Sequence, residues 1–419
     1  MMDIKQMTQG IHDCPCGKDH NCPIDFVEIG SGVLPRIAEI CAGYKKILLV
    51  ADQNTWRVCG AEVESYLAQQ IGSKVVFQTG DKPLIPNEEA LAAIDAAVSG
   101  ETDLIVGVGS GVINDLCKQV SFVNNLPYYI VATAPSMDGY ASVGSALILK
   151  GMKVTLNAHS PKAIVADTRV LKDAPMDMLQ AGFGDIVGKY SCLNDWKLSA
   201  LINGEYLCQQ IYDIVYETAQ KVENLAQGVK NRDEEAVCAL MDALVVVGIA
   251  MAYVGNSRPA SGSEHHLSHF FEITGILENK PYFSHGIDVI YSAVATAAIR
   301  EKLLSAEPHP YTHDQAQWDG SIERVYSSSA EEVKKLQGKL GWYESADFEN
   351  VQRKWEAIKA VLSEAPGEAR MLEMVNSVGL NYREFMELYG QAKIDDAILY
   401  AKDLKDRYSV LWLYYLFCR

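Results

Sequence analysis

At 419 residues the chain exceeds what one compact core usually holds, so two domains are expected. Apolar residues make up 48% and charged residues 22%, which excludes a disordered chain as the default. The formal net charge of -17 repels phosphate backbones and anionic lipid, so neither nucleic acid nor membrane is expected as a partner, whereas a small anionic substrate needs only a few local cations.

The N-terminal stretch MMDIKQMTQG has no apolar core and reads as no secretory signal, so a cytoplasmic protein is expected. Residues 1–24 form a cysteine-bearing extension. Within it Cys14, Cys16, His20 and Cys22 have the ligand types of a zinc site, but four ligands in nine residues would make a cramped one, and incidental thiols are the plainer alternative. The other cysteines, such as Cys41, Cys117 and Cys208, stand singly in apolar surroundings, as reduced core thiols do.

From Lys46 the chain alternates short apolar runs with helical spacing. Strands are predicted over 46–51, 73–78, 103–108 and 127–132, with helices over 58–70, 86–98 and 112–123 between them. That order implies a parallel sheet covered by helices. A hairpin around Gly151 (145–149 with 153–156) and a strand over 163–167 complete an α/β domain, 1–172, of Rossmann-like type. Beyond residue 173 the 3.6-residue period takes over, with helices predicted over 179–201, 205–226, 234–254 and 287–304, so the second domain, 173–419, is read as all-α. Ala243–Val254, the longest apolar stretch, is shorter than the roughly 20 residues of a membrane span and reads as a buried helix. The aromatic run 408–417 reads as core or as a dimer interface.

Two loops follow strands of the first domain. Gly107-Val108-Gly109-Ser110-Gly111-Val112-Ile113-Asn114-Asp115 ends a strand and opens a helix, where close backbone approach and unpaired N–H groups favour a pyrophosphate. Val112 departs from G-x-G-x-x-G, no Lys-Ser/Thr makes it a Walker loop, and a tight turn without ligand is as good a reading of this loop alone. The second loop, Thr133-Ala134-Pro135-Ser136-Met137-Asp138-Gly139-Tyr140-Ala141-Ser142, leaves the next strand at the same sheet edge and offers hydroxyls and a carboxylate to a polyol.

Four of the nine histidines fall within residues 265–285, a density that favours a metal over scattered structural imidazoles. His265 and His269 lie four apart on one helical face, and His285 follows in Phe283-Ser284-His285-Gly286. An anionic ligand is best sought in Gly182-Phe183-Gly184-Asp185-Ile186-Val187-Gly188-Lys189, at Asp185. Asp195 is an alternative with a better claim to a structural role. Two imidazoles and a carboxylate leave positions open for a substrate oxygen.

Taken together, GSGVIND, TAPSMDGYAS, the aspartate of AGFGDIVGK, SGSEHHLSH and SHG resemble sn-glycerol-1-phosphate dehydrogenases, particularly the bacterial AraM-type members, in the superfamily of iron-containing alcohol dehydrogenases, glycerol dehydrogenases and dehydroquinate synthases. The likeness runs from about Lys46 to Gly286. It implies metal ligands at Asp185, His265 and His285, and substrate contacts at Asp138, Asp185 and His269. It further implies that the dinucleotide is bound by Asp52 at the adenosine ribose, by Gly109, Ser110, Gly111, Val112, Ile113, Asn114 and Asp115, and by Thr133, Ala134, Pro135, Ser136 and Ser142. The implied reaction is reduction of dihydroxyacetone phosphate to sn-glycerol 1-phosphate by NADH or NADPH, with a divalent metal (nickel foremost, or zinc or iron), in a homodimer. Lys189 and Arg258 are nominated for the substrate phosphate. Rival readings are a glycerol dehydrogenase, which handles no phosphate, and a sugar-phosphate cyclase of the same fold.

Overall fold

The computed structural model describes residues 4–80, 82–150 and 152–419; Gly151, at the predicted hairpin turn, lies outside the described residues. Among the described residues eight strands are formed: β1 Phe26–Gly30, β2 Ile47–Asp52, β3 Ile71–Phe77, β4 Leu104–Gly109, β5 Tyr128–Ala132, β6 Gly144–Leu149, β7 Met152–Asn157 and β8 Ala163–Asp167. The helices that matter below are α1 Gly111–Val123, α2 Met176–Val187, α3 Lys189–Asn203, α4 Glu234–Val254, α5 Ser263–Glu278, α6 His285–Leu304 and α7 Val410–Phe417. The chain divides into two compact units, Met1–Ile186 with Gln220–Ser257, and Val187–Ala219 with Arg258–Arg419.

The first unit is built on a six-stranded sheet in the order β1-β8-β5-β4-β2-β3, every pair parallel. β4, β5 and β8 are buried at every position, which explains their continuous apolar runs: a central parallel strand is covered on both faces. One side of the core collects Ile47, Leu49, Val106, Val108, Val131 and Val165 around Ile37, Val63 and Leu67. β1 had no signal in the sequence pattern. It is an edge strand of five residues, exposed or half-buried throughout, and so carries no apolar run. β6 and β7 pair as the expected antiparallel hairpin. Helix α4 returns to this unit; it is long and apolar enough to cross a membrane, but 72% of its most apolar window is buried inside the protein, as in a core helix.

The second unit is helical throughout its described elements. The helix predicted over 179–201 is two helices, α2 and α3, separated at Gly188. The aromatic run near the C-terminus forms α7, whose Val410, Leu411, Trp412 and Leu413 are inaccessible to solvent, so it is core. The architecture is a parallel α/β domain followed by a helical one.

Candidate functional site

In the first unit, β4 hands the chain to α1 at Ser110, which sits in extended conformation and offers no side-chain cap. The first-turn N–H groups of α1 therefore receive no side-chain acceptor from the N-cap residue, the condition under which a helix start takes an anion. A Cβ on Gly109 would lie 2.5 Å from that of Ile113, and one on Gly182 only 1.9 Å from the Pro135 carbonyl oxygen, so Gly109 is demanded by the tight turn from β4 into α1 and Gly182 by the close approach of α2 to the second loop. Gly182 lets α2 press its backbone against the second loop.

That loop is also stapled from α1. The fully buried Lys118 donates to the carbonyls of Gly139 (2.8 Å) and Gly144 (2.9 Å) and to the Ser142 hydroxyl (3.2 Å). Burial lowers its ammonium to about 8, with Asp115 opposing. The same burial raises the Asp115 carboxyl, which Lys118 opposes and which accepts the Ala146 N–H at 3.2 Å and the Asn114 amide at 3.1 Å. Asn114 also donates to the Gly139 carbonyl of the loop at 3.4 Å, while Asp115 holds β6 beyond it. Thr133 extends the ladder by donating its N–H to Gly109, and the Tyr140 hydroxyl donates to the Ala134 carbonyl at 2.7 Å. Asp52, at the end of β2, accepts the N–H groups of Asn54 (2.7 Å) and Thr55 (2.9 Å) on one carboxylate oxygen, a capping box. Asp185 lies in the last turn of α2, inaccessible to solvent, and its carboxylate accepts the backbone N–H of Asp138 at 2.9 Å. The two acidic residues singled out for metal and substrate are therefore in direct contact.

The second unit brings together three histidines. His265 and His269, one turn apart on α5, meet His285 at the start of α6: ring centroids are 5.0 Å apart for His265–His285, 5.6 Å for His269–His285 and 6.0 Å for His265–His269. His266 has no ring contact with this trio among the described residues; it is fully buried, and burial reinforced by Arg407, Lys405 and Arg258 keeps it uncharged. Residue i+1 of a helix points about 100° away, which separates the two neighbours.

Sequence reasoning missed Glu264. Its buried carboxylate lies 2.7 Å from Nδ1 of His265 and accepts the Gly262 N–H at 3.0 Å. Burial pushes this carboxyl up to about 7. With Nδ1 donating to Glu264, Nε2 of His265 is left with its lone pair outward, as a ligating imidazole requires. The only signal available was its position beside His265. Asp195, the alternative ligand, instead accepts the N–H groups of Ser263 (2.6 Å) and Val410 (2.7 Å), anchoring the starts of α5 and α7; burial, then the Glu264 charge, raises it to about 6.

The two cations nominated for the substrate phosphate are both buried. Arg258 is buried, pairs with Glu205 at 2.8 Å and donates to the carbonyls of Tyr408 and Asp195, so it is an internal staple. Lys189 is fully buried with its charge felt by Glu264. Charge alone in a sequence does not show whether a side chain faces water.

The family profile for iron-containing alcohol dehydrogenases matches residues 28–175. A glycerol-1-phosphate dehydrogenase [NAD(P)+] of Geobacillus stearothermophilus is 30% identical, the match covering 81% of this chain and 88% of the relative. The chain belongs to the glycerol-1-phosphate dehydrogenase family. Its Bacillus licheniformis member is 29% identical over 97% of this chain and 93% of that one. Among solved structures, sulfoacetaldehyde reductase of Bifidobacterium kashiwanohense in complex with NAD+ superposes with a TM-score of 0.62 at 15% identity, covering 95% of this chain and 97% of that one. That likeness shows the shared fold. Family membership makes the protein an NAD(P)-dependent dehydrogenase.

Proposed function

We propose that the protein reduces dihydroxyacetone phosphate to sn-glycerol 1-phosphate, reversibly, with NADH or NADPH, and that Asp185, His265 and His285 hold one divalent metal, nickel foremost. The observation that carries the metal assignment is the Glu264–His265 pair beside His285: a carboxylate fixing one ring nitrogen of a buried histidine, next to a second imidazole, is the support a ligand set has. Two imidazoles and a carboxylate suit nickel, zinc or iron and leave positions for substrate. A bound divalent ion would stabilise the negative charge that grows on the substrate carbonyl oxygen as NAD(P)H supplies hydride.

This chain's own residues do the positioning. Glu264 sets the tautomer of His265. The Asp138 N–H fixes one oxygen of Asp185, which orients that carboxylate and ties it to the second loop. His269, half-buried beside His265 and His285, is placed to hydrogen-bond a substrate oxygen. The uncapped N–H groups at the start of α1 would take the dinucleotide pyrophosphate, with Thr133, Ala134, Pro135, Ser136 and Ser142 shaping the neighbouring loop and Asp52 toward the adenosine ribose. We further read the protein as cytoplasmic and as a homodimer, and light scattering of the purified protein tests the subunit count.

The deciding assay is NADH and NADPH oxidation with dihydroxyacetone phosphate after reconstitution with nickel, zinc or iron. Turnover with the phosphate and far less with dihydroxyacetone supports the reading. Equal use of dihydroxyacetone makes it a glycerol dehydrogenase, and no oxidation of either cofactor with any metal overturns it.

A further inference from the structure

We propose that Cys14, Cys16 and His20 bind a second metal ion, zinc, which pins the N-terminal segment to the end of α4. The segment is folded, not trailing. Ile11 and His20 exchange both backbone hydrogen bonds (2.8 and 3.0 Å), closing a loop with all three candidate ligands inside it, and a turn from Cys14 to Gly17 carries Cys16 around its corner. Met7, Cys14 and His20 are buried, although so short an extension has little apolar core of its own.

The donor atoms are arranged as ligands. The sulfurs of Cys14 and Cys16 and a ring nitrogen of His20 all lie within 4.8 Å of one another. Nε2 of His20 is 3.3 Å from the Cys16 sulfur. Tetrahedral zinc with ordinary Zn–S and Zn–N bonds separates these atoms by about 3.6 Å. The other ring nitrogen, Nδ1, lies 3.1 Å from the Tyr253 carbonyl and donates to it, leaving the Nε2 lone pair toward the thiols. A backbone carbonyl holding one nitrogen while the other meets soft donors is the orientation a ligating histidine needs. Two thiolates with an imidazole select zinc among common divalent ions.

Cys22 does not join the group, which corrects the four-residue set suggested by spacing. The chain leaves the loop at His20 in the pairing with Ile11, so Cys22 lies past its closure. The fourth position falls to a donor outside residues 11–20, or to water. Tyr253 gives the site its purpose. Its hydroxyl donates to the Met7 carbonyl and its ring lies 5.7 Å from that of His20, so an ion here locks the segment onto the last turn of α4.

The test uses the full-length protein loaded with cobalt in place of zinc, read by sulfur-to-cobalt charge-transfer absorption alongside metal content. The wild type is expected to show the thiolate band. His285→Ala should keep it, the Cys14→Ser/Cys16→Ser double variant should lose it with one metal equivalent, and His20→Ala should shift and weaken it. Hydrogen exchange in residues 4–20 should rise in the double variant. If that variant does not fold, titration of the folded zinc-loaded wild type with a mercurial reagent gives the same reading. Zinc released as two thiols react supports the site. No thiolate band in the wild type, a band that survives the double substitution, or zinc retained after Cys14 and Cys16 have reacted would overturn it. Dehydrogenase activity does not enter these readouts, so the result stands apart from the proposed reaction.

Discussion

The loops of the sheet unit are placed by backbone contacts, whereas the histidines of the helical unit are placed by side chains. Gly109 lets β4 turn closely into α1, Gly182 lets α2 touch the second loop directly, and Lys118 binds mainly carbonyl oxygens. In the helical unit Glu264 sets one ring of a three-ring cluster, and Asp195 ties down the start of α5, which carries two of the rings. A backbone-built region should fail by loosening as a whole. A side-chain-built region should lose one chemical property while its fold survives, and substitutions in each unit can break or sharpen that contrast.

The largest effect is expected at His285. His285→Ala should lose the metal of the proposed Asp185–His265–His285 set and reduce kcat/KM on the order of 10³-fold or more, with circular dichroism unchanged. Metal retained at the wild-type ratio would remove His285 from the ligand set.

Lys118→Met tests the other side of the contrast. It leaves Asp115 as a buried carboxylate without its cation and frees two loop carbonyls, which should cost about 3–5 kcal/mol in urea unfolding. A pH dependence accompanies it. Lys118 holds its proton less tightly when folded, at about 8 against an ordinary 10.5. Between those values the unfolded chain binds more protons, so this group makes stability rise with pH through that window. The variant should lack that rise; a variant as stable as wild type, with the same pH slope, would show that the loop does not depend on the staple.

Glu264→Gln should be milder. An amide can still meet Nδ1 of His265 but cannot accept as strongly, so metal affinity is expected to fall about 10–100-fold, with activity recovered at high metal concentration. Unchanged affinity would reduce Glu264 to a cap of its own helix. This residue marks the limit of what was legible. The order of strands and helices was readable because central strands bury both faces and long helices keep their period; β1 escaped as a short exposed edge. Candidate residues were readable where type and density mattered, as with His265, His269 and His285. Residues acting through a neighbour were not. Glu264 looks like any first-turn acid until the helix start turns it onto His265, and the sequence does not show that Arg258 is buried against Glu205.

The smallest effect on stability is expected at Asp52, where two roles can be separated. In the structure its carboxylate caps the turn after β2, accepting two N–H groups on one oxygen. The family resemblance assigns it to the adenosine ribose. Asparagine caps helices about as well as aspartate, so Asp52→Asn should stay within about 0.5 kcal/mol of wild type. A residue that accepts from the ribose hydroxyl of NADH also repels the extra phosphate of NADPH through its charge. Removing the charge should therefore raise KM for NADH and lower it for NADPH, shifting preference several-fold while leaving kcat nearly unchanged. If neither KM moves, Asp52 is a cap alone.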